Sequence, residues 1–96
     1  MKTRVTESEL QSIVDRINTI TNSPASPYVG GVAQIGNYHL SHAYGGVTMH
    51  RMANLGGGIS DPIRSGYMPK RELRERLYAF ISGIYSQLEA NQPAQA

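Results

Sequence analysis

Two helical periodicities bracket a stretch of alternating positions. Leu10, Ile13, Val14, Ile17 and Ile20 recur along one helical face, while Glu7, Glu9, Asp15 and Arg16 lie off it. Thr6 is the expected N-cap, and Glu9, three residues on, completes a capping box, so the pattern predicts a first helix ending near Thr21 or Asn22. Leu73, Leu77, Phe80, Ile81, Ile84 and Leu88 form a second stripe behind Pro69, whose missing donor suits the first helical position. Tyr78 and Tyr85 stand beside that stripe. Gly83 falls in mid-helix, at a cost of about 1 kcal/mol relative to alanine, and suits close packing against a sheet or a second subunit.

Between the helices the period drops to two. Tyr38, Leu40 and His42 share one strand face; Val47, Met49 and Arg51 share another, opposite Thr48, His50 and Met52. Gly45-Gly46 reads as the hairpin turn joining runs 37–44 and 47–54, and Gly56-Gly57-Gly58 as the next turn. Residues 59–63 are a possible third strand, which Pro62 confines to an edge. Residues 22–31, with Pro24, Pro27 and Gly30-Gly31, read as an aperiodic connector. The order is α-β-β-(β)-α, an α+β fold in which a short antiparallel three-stranded meander carries two amphipathic helices on one face. The other sheet face is expected to be free for a ligand or a partner subunit. Residues 1–90 are expected to form one small domain and 91–96 a disordered tail.

Length changes this picture. A chain of 96 residues without cysteine is expected to bury only about 60–65% of its unfolded surface, with no disulfide or thiolate–metal site to hold it. A homo-oligomer is the natural remedy. No apolar run approaches the ~18–20 residues of a membrane span, and Met1-Lys2-Thr3-Arg4 leads into a polar helix, so a cytoplasmic protein without a membrane partner is expected.

Charge sharpens it further. The net charge is +2, and Arg51, Arg64, Lys70, Arg71, Arg74 and Arg76 crowd into one segment with Asp61, Glu72 and Glu75. A helix start carries a partial positive charge and favours acids, yet Lys70, Arg71 and Arg74 sit there. Pairs Arg71–Glu75 and Glu72–Arg76 would each relieve only ~0.2–0.5 kcal/mol and leave Lys70 untouched. A solvated face of tolerated cations is the plainer reading; a bound phosphate, taken up by free backbone N–H groups and these cations, is the sharper one. Tyr44 and Tyr67 suit stacking on a base, or packing at a sheet end.

Other chemistry finds less support. His39 and His42 should point to opposite faces of their strand, and His42 and His50 are expected to be neighbours across the hairpin, so no metal centre is expected. No serine lies in a nucleophile elbow, and no carboxylate spacing suggests an acid–base pair, so no catalytic residue and no cofactor is assigned and the chain is read as a non-enzyme. The glycine clusters match neither a P-loop nor a dinucleotide fingerprint and read as turns that also let a phosphate approach backbone amides.

Taken together, "NYHLSHAYGGVTMHR", "GGGIS" and "KRELRERLYAFISGI", within residues 37–84, resemble small phage and prophage proteins that carry a Tyr-Gly-Gly hairpin and a Lys-Arg-Glu-Leu helix start. Similar small phage proteins include anti-defence sponges, which sequester cyclic nucleotide immune signals without cleaving them, usually as oligomers. The resemblance implies a non-enzymatic phage anti-defence protein that binds such a small phosphorylated nucleotide, in the host cell cytoplasm. Lys70, Arg71 and Arg74 would hold its phosphates, Tyr44 or Tyr67 its base, with Arg51 or Arg64 from the same or a neighbouring subunit. The order α-β-β-β-α with a basic final helix start also resembles double-stranded RNA-binding domains, which makes a double-stranded nucleic-acid-binding module the alternative. A protein–protein inhibitor docking its free sheet face on a host enzyme is a further one.

Overall fold

The computed structural model describes residues 4–90; the tail expected at 91–96 lies outside them. Helix α1 spans Glu7–Ile20. Thr6, in extended conformation, accepts a hydrogen bond on its side-chain oxygen from the Glu9 N–H at 3.1 Å. Half of the predicted capping box is therefore made. The Glu9 carboxylate turns instead to Arg74 of the final helix, at 2.8 Å. Asn22, at φ 56°, takes the left-handed conformation that ends the helix, a place where asparagine costs little.

The connector after α1 holds a structure that its composition conceals. Strands β1 (Tyr28–Val29) and β2 (Val32–Ala33) pair antiparallel across Gly30-Gly31, whose φ values of 55° and 79° close a tight hairpin. The prolines interrupt the run on either side, so only two residues per strand remain and no alternation is long enough to read.

Strands β3 (Tyr38–Ala43), β4 (Gly46–Met52) and β5 (Ile59–Ser60) form the antiparallel meander in that order. The β3–β4 turn lies one residue earlier than Gly45-Gly46: Ala43 pairs with Gly46, and Tyr44 and Gly45 form the turn with φ 54° and 75°. Both turn residues need positive φ, as in a type I′ hairpin, and here a tyrosine supplies one of them. Strand β5 stops at Ser60, before Pro62, and pairs only with the far end of β4. The same edge of β4 is completed near its start by Met68, which exchanges two backbone hydrogen bonds with Val47 at 2.9 and 3.0 Å.

Helix α2 spans Lys70–Ala90. Pro69 is the cap residue rather than the first helical one, since its carbonyl accepts the Leu73 N–H at 3.1 Å. Both helices lie on one face of the meander and run in the same direction. Their starts touch through Glu9 and Arg74, and Ile20 at the end of α1 lies beside Phe80 and Ile84 of α2. The core between helices and sheet joins Leu10, Val14 and Ile17 to Val47, Met49 and Met68 and to Leu73, Leu77 and Ile81. Full burial of each leucine stabilises the fold by about 1.5–3 kcal/mol.

Asn18 does a second job on α1. Its side chain is buried and meets both backbone groups of Tyr38, donating to the carbonyl at 2.9 Å and accepting from the N–H at 2.8 Å. It thereby satisfies part of the outer edge of β3, where unpaired groups would otherwise invite another strand.

The opposite sheet face is partly covered, where the sequence predicts a free one: His39, Ser41 and His50 are half-buried. Thr48 and Met52 on that face are buried. The Val47–Met68 bridge brings the chain back along β4, and by strand alternation Met68 enters the core while Tyr67 turns to the other face. There the Tyr67 hydroxyl meets the Ser41 hydroxyl at 3.2 Å.

Candidate functional site

The two helix starts lie side by side, so their positive dipole ends reinforce one another. The acids of α1 offset this. Glu9 holds Arg74 at 2.8 Å and raises the guanidinium's proton affinity above its ordinary value, chiefly through that hydrogen bond. Glu7 accepts from His42 Nε2 at 2.8 Å and lies 3.9 Å from the Lys70 ammonium. Of the two pairs expected within α2, Arg76–Glu72 forms, at 3.5 Å, while no Arg71–Glu75 pair occurs among the described residues.

Arg74 is thus tied to Glu9. Lys70 is loosely held, and Arg71 is exposed with no carboxylate partner among the described residues. A cleft of about 420 Å³ opens beside them, lined by Arg4, Val5, Lys70 and Arg71; among the described residues its wall holds three cations and no acid. Pro69 has no side-chain oxygen to cap the helix, so nothing among the described residues plays for α2 the part that Thr6 plays for α1. The N–H groups of Lys70, Arg71 and Glu72 precede the first helical hydrogen bond and belong to this open end.

On the far side of Lys70 a second cleft, about 400 Å³, runs to the β3–β4 turn. Glu7, His42, Ala43, Gly45, Gly46, Val47 and Met68 line it with Lys70. At the tip of that turn Tyr44 is 96% exposed. A tyrosine at positive φ with its ring in water is a strained and unburied residue, an arrangement found where function holds it. Its ring meets Tyr67 edge-on at 5.9 Å; Tyr67 meets His50 at 6.0 Å, and His50 meets His39 at 6.3 Å. A row of aromatic rings therefore crosses the outer sheet face from the turn inward.

The structure brings Tyr44, Tyr67, Lys70 and Arg71 to one end of the molecule, takes Arg51 and Arg64 elsewhere, and pairs Arg74 with an acid at the same helix start. Arg51 lies four residues beyond Val47 along β4, roughly 13 Å at strand rise, with its guanidinium over the Tyr38 ring at 5.0 Å and its Nε donating to the Gly36 carbonyl at 3.3 Å. Arg64 is an exposed turn residue at φ 61°, its N–H bound to the Asp61 carboxylate, and it lines neither cleft. Arg74 is committed to Glu9. Sequence reasoning missed Arg4, which had only its charge to mark it, and the histidine members of the aromatic row.

The histidine register also differs from expectation. His39, not His42, faces His50 across the hairpin, because the turn sits at Tyr44-Gly45. Burial lowers the pKa of His39, the neighbouring His50 lowers it further, and its contact with Asn37 partly opposes both. Among the described residues no group of three metal-ligating side chains comes together, and no helix is long and apolar enough to cross a membrane. No protein-family model matches this chain, and neither a curated protein nor a solved structure does.

Proposed function

We propose that this protein is a non-enzymatic binder of a small phosphorylated nucleotide, which it sequesters at the start of α2. One observation carries the reading: three cations, Arg4, Lys70 and Arg71, border a cleft that among the described residues has no carboxylate lining it and no side-chain cap on the helix N-terminus. A phosphate there accepts from free N–H groups and from charged donors together, and turns an unfavourable local field into a favourable one. Tyr44 and Tyr67, across Lys70, offer ring faces and edges to a base. A phage anti-defence sponge for a cyclic nucleotide signal, acting as a homo-oligomer in the host cytoplasm, is the biological form of this reading.

The test is a thermal-shift screen with cyclic di- and trinucleotides, cyclic ADP-ribose isomers and duplex RNA. One class of cyclic nucleotide is expected to raise the melting temperature, and the shift is expected to survive moderate salt. Replacing Lys70 and Arg71 together with alanine is expected to remove the shift and leave the fold intact. A response to duplex alone, with affinity falling steeply with salt, identifies a duplex nucleic-acid binder instead. Silence from every nucleotide overturns the proposal.

A further inference from the structure

Helix α2 outgrows the body that supports it. The two helices start level, but α1 has 14 residues and α2 has 21, so the last seven residues of α2 project about 10 Å past the end of α1. The apolar stripe does not stop where the support does. Phe80, Ile84 and Leu88 continue it and, with Gly83 and Ile20, border an open apolar groove of about 460 Å³. Leu88 is 47% exposed.

Two features say what covers this groove. First, no charged residue occurs between Arg76 and Glu89, whereas six of the first seven residues of α2 are charged. Depletion of charge is the composition of a buried protein interface. Secondly, a Cβ on Gly83 would meet nothing within 4 Å, so the chain's own packing gives no reason for a residue that weakens the helix. Close approach of a second backbone does.

We infer that the occupant is a second copy of this chain, whose α2 crosses the first antiparallel, with Gly83 and Ile84 near the twofold axis. The antiparallel sense follows from charge. Lys70 is 13 residues from Gly83, so antiparallel crossing sets the two basic helix starts roughly 40 Å apart, whereas parallel packing would bring them together. The contact is isologous: Leu88 of each copy enters the groove beside Phe80 and Ile20 of the other. Both clefts around Lys70 stay open. The inference rests on the self-association in the reading above, not on nucleotide binding.

Sedimentation of the full chain from 5 to 500 µM tests it, with the mass expected to double from 10.5 kDa as concentration rises. Leu88→Glu is expected to shift the midpoint at least tenfold upward. Gly83→Ala is expected to weaken the dimer while raising the melting temperature of the dilute monomer, which shows that the variant still folds. Because the chain has no cysteine, Gly83→Cys is expected to form a disulfide-linked dimer on mild oxidation, and Ser65→Cys, in the loop before α2, is not. A wild-type chain that stays monomeric throughout overturns both the self-association and this interface. An oligomer that Leu88→Glu leaves unchanged, or that Gly83→Cys fails to cross-link, overturns this interface alone.

Discussion

The two helices begin side by side, in contact through Glu9 and Arg74, and begin differently. At α1 a threonine caps the backbone and acids occupy the first turn, as the dipole favours. At α2 a proline takes the cap position, Lys70 and Arg71 share the first turn with Glu72, and among the described residues no acid lines the cleft beside them. Below the first turn the difference disappears: both helices bury one apolar stripe against the same sheet. The first start is complete within the chain, whereas the second has donors and positive charge in excess of its partners. Part of that excess is met by α1 itself, since Glu9 binds Arg74 and Glu7 lies near Lys70. Arg71 and Arg4 are left without a carboxylate partner among the described residues, and the proposed site rests on them.

The largest expected effects check the shared part of the comparison. Leu10→Ala and Leu73→Ala remove fully buried side chains, one from each stripe, and each is expected to cost about 2–5 kcal/mol in denaturant unfolding. A small loss at either would mean that one helix is not packed as described. The difference between the starts emerges at the next scale. Thr6→Ala is expected to lose about 1 kcal/mol, while Lys70→Ala with Arg71→Ala is expected to stay within roughly 0.5 kcal/mol of the parent. Equal losses would make the α2 cations structural and erase the contrast.

Tyr44 gives a smaller effect of opposite sign. Asparagine tolerates the left-handed conformation and makes the favoured Asn-Gly type I′ turn, so Tyr44→Asn is expected to stabilise the protein by about 0.5–1 kcal/mol. The same substitution is expected to weaken nucleotide binding, the signature of a residue kept for function at a cost in stability. The smallest effect is a pH dependence. His39 has a folded pKa below its ordinary 6.5, so the unfolded chain binds more protons and stability rises with pH across that interval. The contribution is complete above about pH 6.5 and is lost as pH falls through the lowered folded value. Unfolding midpoints at pH 7.5 and 5.5 are expected to differ less in His39→Gln than in the parent.

How much of this was legible in the chain follows from length and locality. Stripes of five and six apolar positions announced both helices, and alternation announced β3 and β4. The β1–β2 hairpin escaped because two-residue strands carry no period. The turn register slipped by one because a tyrosine at positive φ is the exception that a preference for glycine cannot foresee, and with it went the pairing of His39 with His50. The cover that Tyr67 gives the second sheet face depended on Met68 returning to Val47, a contact 21 residues apart that no local pattern encodes. For the proposed site, local reading pointed to the cations at the start of α2. It saw only the ion pairs within that helix, and so missed that Glu9, far earlier in the chain, takes Arg74 and that Arg4 joins Lys70 and Arg71.

The central claim is that the start of α2 is open to an anion and the start of α1 is not. Amide chemical shifts of the ¹⁵N-labelled protein, followed during titration with pyrophosphate and then with the cyclic nucleotide that gives the largest thermal shift, read both starts in one experiment. Saturable movement of the Lys70, Arg71 and Glu72 amides, with those of Glu7, Ser8 and Glu9 still, is the predicted result. Movement of both sets alike, or of neither, would contradict it.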